Sequence, residues 1–153
     1  MAIQMAQARP SGRCEIGADQ LRGDYRLLCG LLERFELSED CYFRRDLMQL
    51  VVDLFEVHVA IREQVREPSP EALREREAVY ELMEQVEGTD ARSRLHRARG
   101  IELGRALQAY IAGEDMMAPG NAMLRLPRSP QNRALLRDHA ALAEAAQNLL
   151  RLH

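Results

Sequence analysis

Lysine is missing from this chain: all 21 basic residues are arginine. That removes Schiff-base chemistry and the lysine of a Walker phosphate loop. Tryptophan is also missing, and three Phe and four Tyr are the whole aromatic stock. A β-sandwich, which packs on aromatic and β-branched residues, is not expected. Cysteine is scarce and odd in number: Cys14, Cys29 and Cys41, with no CxxC spacing. This argues against a disulfide scaffold, and Cys29 reads as a small apolar packing residue. No apolar run reaches the length of a membrane span, and Met1–Pro10 lack the charged-then-apolar order of a signal peptide. A cytoplasmic protein that touches no membrane is the expectation. The net charge of −3 leaves no basic excess for nucleic acid. There is no Gly-rich phosphate loop, GxSxG elbow or HExxH, and nothing supplies an oxyanion hole for a Cys–His nucleophile. An enzyme is not expected.

What is present is core material. With 46% hydrophobic residues in 153, the chain suits one domain. Residues 1–16 have no period and read as a flexible N-terminal arm; 17–153 read as a single helical domain. Leu21, Tyr25, Leu28, Leu32 and Phe35 recur at helical spacing over 18–36. Ser38 reads as the cap of a helix over 39–66, which stops at Pro68. Ser69-Pro70-Glu71 starts the next, ending at Gly88. Thr89-Asp90 reads as the start of a fourth, ending by Pro119-Gly120. Ser129-Pro130 opens a last helix with Leu135, Leu136, His139, Leu142, Ala146 and Leu149 on one face. Five helices with short links and no strand signal predict an all-α, up-down antiparallel four-helix bundle with an additional C-terminal helix.

Two spaced motifs could carry chemistry. The second helix holds His58-Val59-Ala60-Ile61-Arg62, and the fourth holds Tyr110-Ile111-Ala112-Gly113-Glu114-Asp115, each followed by a proline. Residues four apart share a helix face, so an imidazole and a carboxylate there can reach one bundle core. This arrangement resembles the hemerythrin-like (HHE cation-binding) family, whose His-x-x-x-Glu motifs lie on the second and fourth helices. Asp24-Tyr25-Arg26-Leu27-Leu28 resembles the family's Asp-His helix with Tyr in place of His. Arg137-Asp138-His139 resembles its acid-His helix. The resemblance implies metal ligands at His58, Glu114, Asp115, Tyr25, Tyr110 and His139. It also shows departures: Tyr stands where His is expected, and Arg62 stands where a ligand carboxylate belongs. The resemblance therefore implies a degenerate (di-)iron site with weakened or absent iron. Arg62 and Tyr80 are expected to form a structural polar core, with Arg62 pairing to Glu114 or Asp115. Tyrosinate can ligate ferric iron, so the Tyr positions keep an unusual iron site open.

A second resemblance competes. The helical frame from Leu47 to Val65 around His58 is similar to anti-sigma bundles of the regulator-of-sigma-D type, which hold no metal and bind a transcription factor. Both readings make the chain a small regulatory, sensing or interaction protein. Its expected partner is a protein, with a homodimer admitted. His96 and the arginines from Arg92 to Arg99 are expected on a solvated face. Met116, Met117 and Met123 are expected to fill core.

Overall fold

Four of the five helices begin where a side chain takes up a first free N–H group. A computed structural model describes residues 14–113 and 121–152. Its helices are α1 (Ala18–Leu37), α2 (Cys41–Val65), α3 (Pro70–Glu87), α4 (Arg94–Ala112) and α5 (Pro130–Leu152). Ser69 caps α3 as the sequence implies, accepting from the Ala72 N–H at 3.0 Å, with Pro70 in the first turn. Ser129 does the same for α5 through Asn132. Two predicted starts are corrected. Asp40, not Ser38, caps α2, accepting from Tyr42 and Phe43 at 2.9 and 3.2 Å. Ser38 lies two residues further out and accepts from Asp40. The start of α4 falls at Ser93 rather than at Thr89-Asp90. Asp90 spends its carboxylate on the N–H and guanidinium of Arg92, which holds a turn there instead of a helix.

The helices form an all-α bundle. α1 packs on α2, α4 and α5, while α3 packs on α4. The bundle closes through the aromatic contact of Phe55 with Tyr80 and the ion pair of Arg76 with Glu63. α5 lies along α1 and α2, with Leu150 over Gly30 and Asn132 bonded to Gln64 at 3.2 Å. The main core is built on Leu28, Leu31, Phe35, Leu47, Leu54, Phe55, Leu103 and Leu107, all fully buried. Among the described residues no helix is long and apolar enough to cross a membrane.

A strand pair, unforeseen in the sequence, closes one end. β1 (Glu15–Gly17) pairs antiparallel with β2 (Met123–Arg125), in register Ile16 to Leu124. Cys14 and Ile16 are buried with Leu21, Ile61 and Leu126 in a second small core. The last residues of the stretch read as an arm are therefore packed, because only pairing satisfies their backbone beside that core. Residues 1–13 lie outside the described residues. Met123, expected in the core, is more than half exposed, because alternation along β2 turns only Leu124 inward. The core cysteine is Cys14, whereas Cys29 is half-buried and accepts from the Gln108 amide.

Glycine lets α4 approach α1. A Cβ on Gly100 would run into the Phe35 ring, and one on Gly104 would press on Leu32. Gly100→Ala should cost about 1–3 kcal/mol by overpacking, since Phe35 has no space to yield. Chemical denaturation will show it as a lower midpoint with an unchanged slope.

Candidate functional site: a buried His–Asp–His centre

The buried stripe of α1 runs Leu21, Asp24, Leu28, Leu31, Phe35. This is helical spacing with one carboxylate in an apolar row. Asp24 and His58 on α2 are fully buried, and His139 on α5 is buried. The three side chains meet. His58 Nδ1 lies 2.7 Å from Asp24 Oδ2, and His139 Nε2 lies 2.8 Å from Oδ2 and 2.9 Å from Oδ1. An ionised carboxylate only accepts, so His58 donates from Nδ1 and His139 from Nε2. In its neutral form each ring then carries its proton on that nitrogen.

Burial alone would raise the Asp24 pKa. The hydrogen bonds from His139 and His58, joined by the charge of each ring when it is protonated, outweigh it and hold the carboxyl below its usual 3.8. A buried charge is tolerable only when paired and hydrogen-bonded, and here two donors on two other helices meet that demand. The contact ties α1, α2 and α5 at one level.

The structure brings together two of the sequence-predicted site residues, His58 and His139. It adds Asp24, which the sequence reading passed over in favour of its neighbour. Tyr25 is one residue on and so about 100° round the helix. It stands at the surface, 38% exposed, where a hydrogen bond with Cys29 raises its phenol pKa. Tyr110 is buried edge-on against Phe55, ring centroids 5.6 Å apart. Tyr80 packs against the same Phe55 with Arg76 over its ring, and burial raises its pKa. Arg62 is half-buried and lines a different cavity, of about 250 Å³, with Tyr110 and Glu67. Glu114 and Asp115, and with them the expected pairing to Arg62, lie outside the described residues, as do Met116 and Met117.

The described donors do not fit a resident metal. No three His, Cys, Asp or Glu side chains among the described residues are placed to share an ion. Asp24 could offer oxygens, but both already accept from imidazoles. Tyr25 and Tyr110 face elsewhere. His96, expected to be solvated, is instead buried against Phe35 at 5.6 Å. Its Nδ1 finds no partner among the described residues, and burial followed by the Arg44 charge lowers its pKa. Its row on α4 continues through Gly100, Leu103 and Leu107 into the core, a period that the surrounding arginines obscured.

One more feature adjoins the centre. A cavity of about 690 Å³ opens between the start of α1 and the end of α4, with His58 among its lining residues. Gly23 lines it from mid-helix, and a Cβ there meets nothing within 4 Å among the described residues. A mid-helix glycine costs about 1 kcal/mol relative to alanine. Gly30, Gly100 and Gly104 each accommodate a close neighbour, but Gly23 meets none among the described residues.

Comparison of the chain with family models, with curated proteins and with solved structures yields no match.

Asp24→Ala leaves two buried imidazoles without their acceptor and should cost about 3–5 kcal/mol. Asp24→Asn keeps the shape and one acceptor, and should cost about 1–3 kcal/mol. Urea unfolding at neutral pH measures both. The pH dependence follows from the lowered pKa. The contribution of Asp24 is complete above 3.8, its unfolded value, and is lost as pH falls through the lower folded value. Asp24→Asn should therefore lose less stability than the wild type on passing below about pH 4. An equal loss would show that Asp24 is not ionised in the folded protein.

Proposed function

We propose that this chain is a metal-independent regulatory bundle that acts by binding a protein partner in the cytoplasm. The observation that carries this reading is the pairing of both Asp24 oxygens with His58 and His139. Two of the side chains expected to ligate iron, His58 and His139, are hydrogen-bonded to Asp24 instead. The centre holds three helices in register, the best-attested use of a buried polar group. What is left to act is the surface, as in the anti-sigma bundles that the α2 frame resembles.

One end of the bundle supports this role. Leu37 ends α1, Tyr42 begins α2 and Leu95 begins α4, and they are 72%, 60% and 48% exposed. Arginines draw these segments together. Arg44 donates to the Ser38 carbonyl at 3.0 Å and to the Ala91 carbonyl at 3.1 Å, and Arg97 also donates to Ser38. Arg45 lies over the Tyr42 ring at 5.4 Å. Exposed Tyr, Leu and Arg at one pole are the residue types of a protein-binding surface. The unpaired thiols Cys14, Cys29 and Cys41 agree with a reducing compartment.

The test combines metal content with partner capture. After iron(II) loading and desalting, the protein should carry only substoichiometric iron and show no oxo-bridged or tyrosinate absorption. A partner captured from the native host and identified by mass should bind equally well with chelator present. Tyr42→Ser combined with Leu95→Ser should abolish that binding while changing stability by only about 0.5 kcal/mol, as exposed sites do. Stoichiometric iron with a charge-transfer band would return the di-iron reading. Retained binding in the double variant would move the interface elsewhere.

A further inference from the structure

We infer that the first turn of α4 is a latch worked by one proton: neutral His96 seats the turn against α1, and protonation of His96 releases it. His96 is buried at 3% exposure in that turn. Its ring packs on Phe35 of α1, 5.6 Å between centroids. Phe35 also fills the space that Gly100 leaves one turn further along α4. The imidazole and the glycine thus grip one phenylalanine, and that grip seats the start of α4. Nδ1 of His96 is buried and has no hydrogen-bond partner among the described residues. A neutral ring tolerates this, because its proton can sit on Nε2 and leave Nδ1 a bare acceptor. A protonated ring must carry an N–H on Nδ1 too, a buried donor with nothing to accept it.

The charges around the ring add to that cost. From α2, Arg44 is buried and tied to the Ser38 and Ala91 carbonyls, so its charge cannot swing away. Arg45, also on α2, lines the same cavity as His96, one of about 250 Å³. Arg97, next along α4, is held by Ser38 and Glu39. α1 faces the ring with Phe35, whose tilted ring offers a cation only a weak attraction. The positive end of the α4 dipole falls on this turn as well. Two acids oppose. Glu87, at the end of α3, lines the cavity but is exposed. Asp90, in the link, is exposed and shared with Arg92, which holds its carboxyl down to about 2. Burial first and Arg44 second prevail, and the seated imidazole titrates below 6.5.

A released imidazole returns to its ordinary 6.5, so the released turn binds the proton more readily than the seated one. The latch is closed above that value and opens as pH falls towards the seated one. Leu95 belongs to this turn and is 48% exposed, so opening also breaks up the pole assigned to the partner. That consequence rests on the partner reading, and the latch itself does not.

The experiment is amide hydrogen exchange by NMR on the full chain between about pH 7.5 and pH 5.5, each rate divided by that of an unstructured chain at the same pH. Opening of the first turn of α4 should rise several-fold, with about tenfold the ceiling for one proton over this range. The rise should level off at the pH where the ring carbons of His96 themselves titrate. His96→Leu keeps an apolar contact with Phe35 and has no proton to take, so its opening should not rise. A flat opening in the wild type overturns the inference. An equal rise in His96→Leu, or a His96 that titrates at or above 6.5, overturns it too. Should His96→Leu fail to fold, the wild-type exchange and ring titration decide alone. None of these readings uses a partner, so the latch and the partner reading fail separately.

Discussion

A carboxylate in an apolar interior must be paired or it unfolds the protein around it. Asp24 meets that condition with two histidines from two other helices, and much of the bundle follows from the arrangement. His58 can reach Asp24 only if α2 runs against α1 in one register. His139 can reach it only if α5 lies along both. Sliding either helix by a turn would strand an ionised group, whereas leucine contacts alone tolerate such slips at smaller cost. The additional helix is thus fixed to the bundle by a directional contact as well as by an apolar stripe.

The same contact decides how a degenerate metal-site pattern is best read. Carboxylate bundles hold metals by aiming several side chains at a shared point. Here, among the described residues, Asp24 and the imidazoles of His58 and His139 are aimed at one another, and the two tyrosines stand against a phenylalanine and at the surface. A polar centre can keep the layout of a metal bundle while serving as a register device. The proposed partner contact then falls to the exposed apolar pole.

Much of the fold was legible in the sequence. The i, i+3, i+4 spacing of leucines located all five helices, and Ser69-Pro70 and Gly88 bounded α3 closely. The errors have physical causes. Ser38 looked like a cap, but Asp40 takes the first N–H groups of α2; Thr89-Asp90 looked like a start, but Asp90 holds a turn with Arg92 and Ser93 caps α4. The strand pair has only three residues on each side, too few to show a period. His96 looked solvated because arginines flank it, although its spacing to Gly100 and Leu103 places it on the buried face.

The site was half legible. His58 and His139 stood out as histidines on apolar faces, and the structure joins them. Asp24 was hidden because the row was read through Tyr25, which fits Leu21 and Leu28 nearly as well. The row Leu21, Asp24, Leu28, Leu31, Phe35 was also available, and an acid within it signals a buried partner. That the partners come from residues 34 and 115 positions away is set by tertiary packing and has no local signature.

The most direct test is nitrogen–proton NMR of the histidine side chains in the intact protein at neutral pH. The account predicts slowly exchanging, strongly deshielded ring protons on His58 Nδ1 and His139 Nε2, both displaced in Asp24→Asn. Rings that exchange freely with water, or a His58 protonated at Nε2 alone, would contradict it.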